Sequence, residues 1–285
     1  MSMDLKEIFA SYFAWKATED TWFISFMNGT QFLYLLEGEE KALLVDTGYA
    51  VAGLRAFVEG LTAKPIEVIN THYHPDHAGG NGEWERIMMS RGMEKDVRSM
   101  ERTVGEPSAL PYPGYRKIFV GDGDTIDLGG RTIEVMTALD CHSHSSLYLL
   151  DRSRRMIFLG DEMDSWQVLI YDNSNDPALS ETYDLNAALH HFRANLLRVK
   201  GLEASYDWLL GNHNGSPLAK SYLNDFIGLT EHVYSGDVSV ENELHHRYIE
   251  MDPIAGRLCR VRWNKASIIT YRDQLSALLG KKEML

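Results

Sequence analysis

The chain is poor in cysteine, in basic residues and in long apolar runs. Its two cysteines, Cys141 and Cys259, stand far apart in 285 residues and do not form a disulfide framework. Lys and Arg number 28 against 41 Asp and Glu, which gives a net charge of −13. This balance disfavours a long nucleic-acid interface and binding to anionic membranes. No run approaches the ~20 apolar residues of a membrane span.

The N-terminal segment and the chain length set expectations for compartment and domains. Residues 1–10 contain acidic side chains and no apolar core, so they do not read as a secretory signal. We therefore expect a soluble cytoplasmic protein. A length of 285 residues allows one large or two modest domains. We predict a catalytic domain over residues 1–235 and a C-terminal extension over 236–285 packed on the same domain.

The most informative stretch is Thr71-His72-Tyr73-His74-Pro75-Asp76-His77-Ala78-Gly79-Gly80. An apolar run, residues 66–70, leads into it, which is typical of a buried strand that ends in a loop. On extended backbone, side chains two residues apart point the same way, so His72 and His74 can bind one metal ion. Pro75 then turns the chain and aims Asp76 and His77 elsewhere. Imidazole and carboxylate together suit zinc, iron or manganese.

Further candidate ligands follow other apolar runs downstream. The run 132–137 leads towards His142, 156–160 leads directly to Asp161, and 206–211 leads to His213. Strand ends that meet at one edge of a sheet can hold a site rigidly. Gly160 and Gly211 would let the backbone pass close to a metal centre.

This set of residues resembles the metallo-β-lactamase superfamily. The resemblance covers roughly residues 20–215 and includes Asp46-Thr47-Gly48, which usually precedes the signature. It implies an α/β (α+β) fold, a four-layer αββα sandwich, with two divalent metal ions, Zn²⁺ first and Fe or Mn as alternatives. The fold hosts many chemistries, so the resemblance is much less specific for substrate.

Carried over residue by residue, the resemblance implies a binuclear site with a bridging hydroxide. It assigns His72, His74 and His142 to metal one, and Asp76, His77 and His213 to metal two. Asp161 would bridge both metals, and Asp46 would hydrogen-bond a ligand imidazole from outside the ligand set. Asp76 and Asp161 are the candidate catalytic residues, with Asp76 accepting or relaying a proton.

The third ligand of metal one has an alternative. The family usually shows Thr-Pro-Gly-His where this chain has Thr137-Ala138-Leu139-Asp140-Cys141-His142, and His144 is two residues further on. Either histidine could therefore complete the site. The small residues and apolar run that follow fit the family pattern with His142 in register. Cys141 is also a soft donor, although a buried small side chain is its simpler interpretation.

Two apolar stretches are candidate walls of a substrate pocket. Residues 82–115, rich in methionine and aromatics, are interpreted as an insertion near the site, with the second half of the sandwich beginning near Lys117. The stretch after Asp161 is similar in composition. A stripe of methionine and aromatic residues is most often core packing, and an adaptable apolar wall over the metal centre is the functional alternative. The side chains singled out as pocket candidates are Trp166, Tyr171, Tyr112 and Tyr115.

The C-terminal extension contains a hairpin signal. Residues 257–263 alternate, Asn264-Lys265 is a turn pair, and 266–271 is apolar. The hairpin could augment a sheet, cap the pocket or pair two subunits into a homodimer. Its three arginines could hold an anionic substrate group or form a solvated strand face.

These features predict a hydrolase acting on a small-molecule substrate. We expect cleavage of an ester, thioester or lactone, and a phosphodiesterase or other phosphoryl hydrolase is the alternative. The resemblance disfavours β-lactam hydrolysis, because true β-lactamases generally lack an aspartate at the position of Asp161. A non-catalytic scaffold that retains the metals is a third hypothesis, and the intact ligand set argues against it.

Overall fold

The computed structural model describes most of the chain. The described residues are 12–26, 30–49, 51–97, 115–165, 167–171, 183–242, 244 and 255–280. Within them, strands β1–β17 form three sheets and five α-helices flank these sheets. None of the helices in these ranges combines the length and the apolar character needed to cross a membrane.

The first sheet has seven strands in sequence order. The chain runs antiparallel from β1 to β4 and parallel from β4 to β7. Helix α1 (Leu54–Glu59) connects β4 to β5, and Leu54 and Val58 bury its inner face. The strands are β1 (Phe13–Thr18), β2 (Thr21–Phe26), β3 (Gln31–Glu37), β4 (Ala42–Val45), β5 (Ile66–Ile69), β6 (Arg86–Met89) and β7 (Arg116–Phe119).

The second sheet has six strands in the order β14-β13-β11-β10-β9-β8. Its connections are antiparallel except for the parallel pair of β11 and β13. The strands are β8 (Thr125–Asp127), β9 (Thr132–Thr137), β10 (Leu147–Asp151), β11 (Met156–Gly160), β13 (Trp208–Gly211) and β14 (Leu218–Ala219).

The two sheets share one core, and the helices cover the other face of the second sheet. Alternation along β10 shows this directly, because successive side chains of a strand point to opposite faces. Leu147 and Leu149 belong to a core formed with the first sheet. Tyr148 and Leu150 belong to a second core with helices α3 (Leu185–Gly201) and α4 (Ser221–Ser235). The result is the predicted four-layer αββα sandwich.

A third sheet adds to this arrangement. It has the order β12-β17-β16-β15, with β15 (Ser239–Glu241), β16 (Leu258–Trp263) and β17 (Ala266–Tyr271), and helix α5 (Arg272–Leu278) follows. The predicted hairpin is confirmed, with Asn264 in the turn at φ 52°. It extends a sheet, because β17 pairs in parallel with β12 (Val168–Leu169), a strand from the segment after Asp161. The boundary at residue 235 stays a prediction.

In the middle of the chain, the expected start of the second half and the expected insertion were wrong, and the expected core packing was confirmed. Lys117 does not begin the second half of the sandwich, because β7 pairs with β6 at the edge of the first sheet. Residues 86–89 are not part of an insertion, because they form β6 of the first sheet, and Met88, Met89 and Met93 are buried in the first core as core packing predicts. Periodicity could not reveal this, because a short apolar run fits a core strand and a pocket wall equally well. Residues 98–114 lie outside the described part of the chain.

Candidate metal centre

Three imidazoles converge at the end of the first sheet. Strand β5 ends at Ile69, and the chain runs through His72 and His74 before Pro75 starts the single-turn helix α2 (Pro75–Ala78). His72 Nε2 lies 2.9 Å from His74 Nδ1, and His142 Nε2 lies 3.1 Å from that same nitrogen. These three residues are buried, and we call them the first cluster.

Two imidazoles and two carboxylates form a second cluster beside the first. Its members are Asp76, His77, Asp161 and His213. His213 Nε2 lies 3.1 Å from Asp76 Oδ2, and His77 Nε2 lies 3.6 Å from the same oxygen. Pro75 produces this division: helix α2 turns the chain after His74, so Asp76 and His77 face a different point from the two histidines before them.

The carboxylate of Asp161, a member of the second cluster, also faces the first cluster. Its Oδ1 is 3.3 Å from His77 Nε2, and its Oδ2 is 3.3 Å from His213 Nε2. The same Oδ2 is 3.6 Å from His142 Nε2 in the first cluster. Asp161 follows β11 directly, and Gly160 makes this position possible. Gly160 has φ +57°, and a Cβ there would lie 2.9 Å from Thr71 Oγ1.

Asp46 supports the site from behind the histidines. Its Oδ2 lies 2.9 Å from His77 Nδ1 and also accepts from Thr71 Oγ1 and Asn212 Nδ2, while Oδ1 accepts from the Thr71 backbone N–H. A carboxylate can only accept here, so His77 carries its proton on Nδ1 and keeps Nε2 free for the cluster. The predicted place of Asp46 outside the candidate ligands matches this geometry.

Other acceptors fix three more rings in the same way. His142 Nδ1 lies 2.9 Å from the Leu169 carbonyl oxygen, and His213 Nδ1 lies 3.0 Å from the Thr30 carbonyl oxygen. His72 Nδ1 lies 3.2 Å from Thr71 Oγ1, whose own proton goes to Asp46. His74 differs, since its Nδ1 is the nitrogen that faces His72 and His142. In their neutral form, the other three rings direct an unprotonated Nε2 to their clusters, because neither the carbonyl oxygens nor Thr71 Oγ1 can donate to them. This is the form in which imidazole binds a metal.

The protonation equilibria differ between the clusters. Burial, reinforced by neighbouring imidazoles, holds the pKa of His72 well below its ordinary value and lowers the pKa of His74 to about 3. Burial also opposes charge on His77 and His213, but the nearby carboxylates, Asp161 foremost, outweigh it and raise both pKa values well above 6.5. Without an ion, protons on these two rings would balance the carboxylates.

The donor set fits divalent metal ions. Within each cluster, the potential ligand atoms lie within 4.8 Å of one another. Among the described residues, His77 Nε2 and Asp161 Oδ1 are buried without a hydrogen-bond partner. Buried polar atoms without partners are costly, and a cation between them would satisfy both. Imidazole nitrogen with carboxylate oxygen is a donor set that zinc favours.

The alternative donors near His142 point elsewhere. The His144 side chain is 62% exposed and its Nδ1 lies 3.1 Å from Asp140 Oδ2. His142, and not His144, therefore lies with His72 and His74. Cys141 is buried, and its thiol donates to Glu162 Oε2 at 2.5 Å. Burial raises the pKa of this thiol well above its ordinary value, which disfavours the thiolate that a metal would need.

The four pocket candidates are not placed alike. Tyr171 is buried in a small core with Leu258, Ile269 and Tyr271. Tyr115 is 9% exposed at the first core, with its hydroxyl 3.4 Å from Asn81 Nδ2. Trp166 and Tyr112 lie outside the described residues. Contact of any of these side chains with substrate stays a prediction.

The C-terminal arginines are paired with acidic or polar groups. Arg260 lies 2.9 Å from Glu241 and 3.0 Å from Gln167 Oε1, and Arg262 also contacts Glu241. Arg257 lies 3.4 Å from Asp273. These pairs favour the solvated strand face that the sequence also allowed.

Several residues around the site carried only a weak sequence signal. Thr71 and Asn212 each precede a candidate ligand, and adjacency alone could have suggested them. Asp164, whose Oδ1 accepts from the His213 backbone N–H at 2.9 Å, follows the Asp161 strand end. The Thr30 and Leu169 carbonyls had no signal, since a backbone acceptor does not depend on side-chain identity.

Comparison with known proteins agrees with this geometry. Residues 28–198 match the family described as the Metallo-beta-lactamase superfamily. The chain is 27% identical over 172 residues to an Acyl-coenzyme A thioesterase MBLAC2 from Bos taurus, covering 50% of this chain and 59% of the relative. It is 33% identical over 108 residues to a Hydroxyacylglutathione hydrolase from Hyphomonas neptunium, covering 38% of this chain and 36% of the relative.

A solved structure shares the fold. The metallo-beta-lactamase from Pontibacter korlensis superposes with a TM-score of 0.58 at 17% identity, covering 78% of this chain and 99% of that one. The chain spans 59% of the length of the bovine relative, so likeness in sequence does not extend over that whole protein. The residues that match the family, 28–198, include four of the five clustered histidines and both clustered aspartates. The chain therefore belongs to the metallo-beta-lactamase superfamily.

Proposed function

We propose that this chain is a binuclear metal-dependent hydrolase that cleaves a small carbonyl substrate: an ester, a thioester or a lactone. The observation that carries the proposal is the position of Asp161 between a three-histidine cluster and a mixed histidine and carboxylate cluster. A single carboxylate within 3.6 Å of donors in both groups suits two ions held side by side.

The seven candidate ligands divide between two divalent ions, with zinc the first choice and iron or manganese as alternatives. His72, His74 and His142 would hold one ion, and Asp76, His77 and His213 the other, with Asp161 shared. Bound in this way, the ions would supply hydroxide at neutral pH and would polarise a substrate carbonyl. The protein contributes rings fixed in one tautomer and a buried, acceptor-rich shell behind them.

Asp76 is the candidate carrier of a proton during turnover. It is the more exposed of the two carboxylates in the second cluster, at 18% against 9% for Asp161. Burial opposes ionisation of Asp76, but His77 and His213 outweigh it and hold its pKa well below 3.8. Asp76 is therefore ionised at neutral pH. Because the lowered pKa makes it a weak base, its suitability for accepting or relaying a proton rests on its greater exposure.

The printed names of the relatives favour acyl substrates, and thioesters first. The bovine protein is named a thioesterase and the bacterial protein a hydroxyacylglutathione hydrolase. The net charge of −13 supports a small molecule, and neither a nucleic acid nor an anionic membrane, as the partner. Cytoplasmic location belongs to the same proposal.

A paired hydrolysis assay tests the proposed function. Zinc-loaded protein is offered acyl thioesters, esters and lactones in one arm and phosphodiesters in the other. Asp161→Ala should reduce both metal content and acyl turnover by orders of magnitude, because each cluster loses a donor. The matched control is Asp237→Ala, since that carboxylate is 79% exposed and pairs only with His232 among the contacts the structure records.

The outcomes of this assay separate the hypotheses. Acyl turnover that Asp161→Ala abolishes and Asp237→Ala preserves would support the proposal. Turnover of phosphodiesters alone would contradict the acyl hydrolase proposal and support a phosphodiesterase. An Asp161→Ala variant with full metal content and full turnover would refute the shared-ligand assignment.

A further inference from the structure

A backbone carbonyl links the C-terminal sheet to the first cluster. Leu169 is the second residue of β12, and its carbonyl oxygen accepts from His142 Nδ1 at 2.9 Å. This contact decides which ring nitrogen of His142 is left for a metal. Strand β12 has two residues and is too short to keep its own conformation, so its position depends on what it pairs with.

Its partner is β17, in the C-terminal extension. Val168 stands opposite Ile268 and Leu169 opposite Ile269 in a parallel register. The Ile170 backbone N–H donates to the Ile269 carbonyl at 2.8 Å. Every residue of β17 is buried, and the Leu169 side chain packs on the small core that contains Ile269. The extension therefore fixes the carbonyl that orients His142.

A side-chain contact reinforces the same link. Arg260, on β16, donates to Gln167 Oε1 at 3.0 Å, one residue before β12 begins. The loop that carries His142 is held independently of β12. Glu162 accepts from the Cys141 thiol at 2.5 Å and from Ser146 Oγ at 2.9 Å, which anchors the loop on both sides of His142. Loss of the Leu169 contact would thus free the ring and leave the loop in place.

We propose that the C-terminal strand pair β16–β17 is a functional part of the metal centre, with Leu169 as a positioning residue that fixes the tautomer and orientation of His142. The proposal rests on the metal binding set out above and not on the identity of the substrate. It assigns to the C-terminal hairpin a specific effect on the first cluster, with none on the second.

The test compares the same substitution, isoleucine to alanine, at one position beside β12 and at one position away from it. Ile269→Ala removes packing beneath Leu169. Ile126→Ala removes the same atoms from the first core, where Ile126 pairs with Ile133 near the start of β9, away from His142. Stepwise Zn²⁺ titration against a chromophoric chelator should show one of two binding steps weakened about 10-fold in Ile269→Ala only, the size typical of lost support behind a ligand.

A spectroscopic readout separates positioning from general destabilisation. In the zinc-loaded protein, ¹H–¹⁵N spectra of histidine side chains should show a slowly exchanging Nδ1–H for His142, assigned by its absence in His142→Gln. This signal should weaken or shift in Ile269→Ala and stay unchanged in Ile126→Ala. If Ile269→Ala does not fold, Arg260→Met removes the Gln167 contact from a half-buried position, and a several-fold weaker step is expected.

Equal Zn²⁺ affinities within two-fold for wild type, Ile269→Ala and Arg260→Met, with the His142 signal retained, would overturn the proposal. Weakening of both binding steps in Ile269→Ala and Ile126→Ala alike would overturn it too. Failure of the proposed function looks different: wild-type protein would bind two ions and hydrolyse no acyl substrate, while the affinity difference between variants persisted.

Discussion

Replacement of Asp46 by Asn should weaken zinc binding at the second cluster without changing any candidate ligand. Asp46 is fully buried, and its Oδ2 receives donors from Thr71, Asn212 and His77. Asn offers one oxygen, which can keep the bond from the Thr71 backbone N–H. Its NH₂ group then faces His77 Nδ1 as a second donor, and two donors cannot share a hydrogen bond.

The ring of His77 has one way to relieve this conflict. It can move its proton to Nε2 and accept at Nδ1, which removes the lone pair that faces Asp76 and Asp161. Loss of a hydrogen bond to a charged group costs about 1.5–3 kcal/mol. Since ~1.4 kcal/mol is tenfold in an equilibrium constant, we expect the Zn²⁺ affinity of the second cluster to fall about 10- to 100-fold.

The assay is Zn²⁺ titration of metal-free protein against a chromophoric chelator, with thermal unfolding in parallel. Asp151→Asn is the control, because Asp151 is also fully buried and accepts from Arg131 Nε at 2.7 Å, far from both clusters. Both variants should unfold at lower temperature than wild type, and only Asp46→Asn should bind zinc weakly. Zinc affinity of Asp46→Asn within two-fold of wild type would refute the tautomer argument.

Three further predictions concern the ligand choice, the backbone and pH. His142→Ala should abolish one zinc-binding step while His144→Ala leaves both intact, because the His144 side chain is exposed and contacts Asp140. Equal losses of zinc binding in the two variants, measured by calorimetric titration, would contradict the choice of His142 as the ligand. Gly211→Ala should lower turnover and melting temperature together, because a Cβ there overlaps the Met163 carbonyl and the Asp164 carboxylate. Turnover and melting temperature equal to wild type would contradict this, because the loop would then have moved to accept the methyl group. Zinc affinity of the second cluster should fall as pH falls, because the pKa values of His77 and His213 lie well above 6.5 and metal must displace their protons. The first cluster should change less down to pH ~6.5, the ordinary histidine value, because the pKa values of His72 and His74 are lowered. Zinc titrations across pH 6.5 to 8 in which both binding steps show equal pH dependence would contradict this.

The sequence determined most of the ligand set. Residue type and a spacing of two on extended backbone are local properties, and Pro75 starts a helix wherever it stands at a first turn. The order of strand ends followed from apolar runs that stop at His142, Asp161 and His213. Together with the resemblance to the superfamily, these signals predicted the seven side chains that the fold brings into two adjacent clusters, with His144 left as the alternative to His142.

The choice between His142 and His144 needed the tertiary structure. Side chains two residues apart on an extended chain would point the same way, but residues 140–145 form bends and a turn, and Cys141 and Ser146 anchor this loop on Glu162. Sequence could not show this, because Glu162 meets the loop only after β10 and β11 have paired. The same holds for Lys117, whose strand joins the first sheet through contacts with β6.

Only the tertiary structure decided which backbone carbonyls accept hydrogen bonds from the histidine rings. The Thr30 and Leu169 carbonyls fix the tautomers of His213 and His142, and any residue type could supply them. Their positions depend on strand pairing between segments about 100 residues apart, such as Leu169 with Ile269. Local sequence specifies which atoms can bind a metal, whereas long-range pairing of a chemically uniform backbone specifies which way those atoms face.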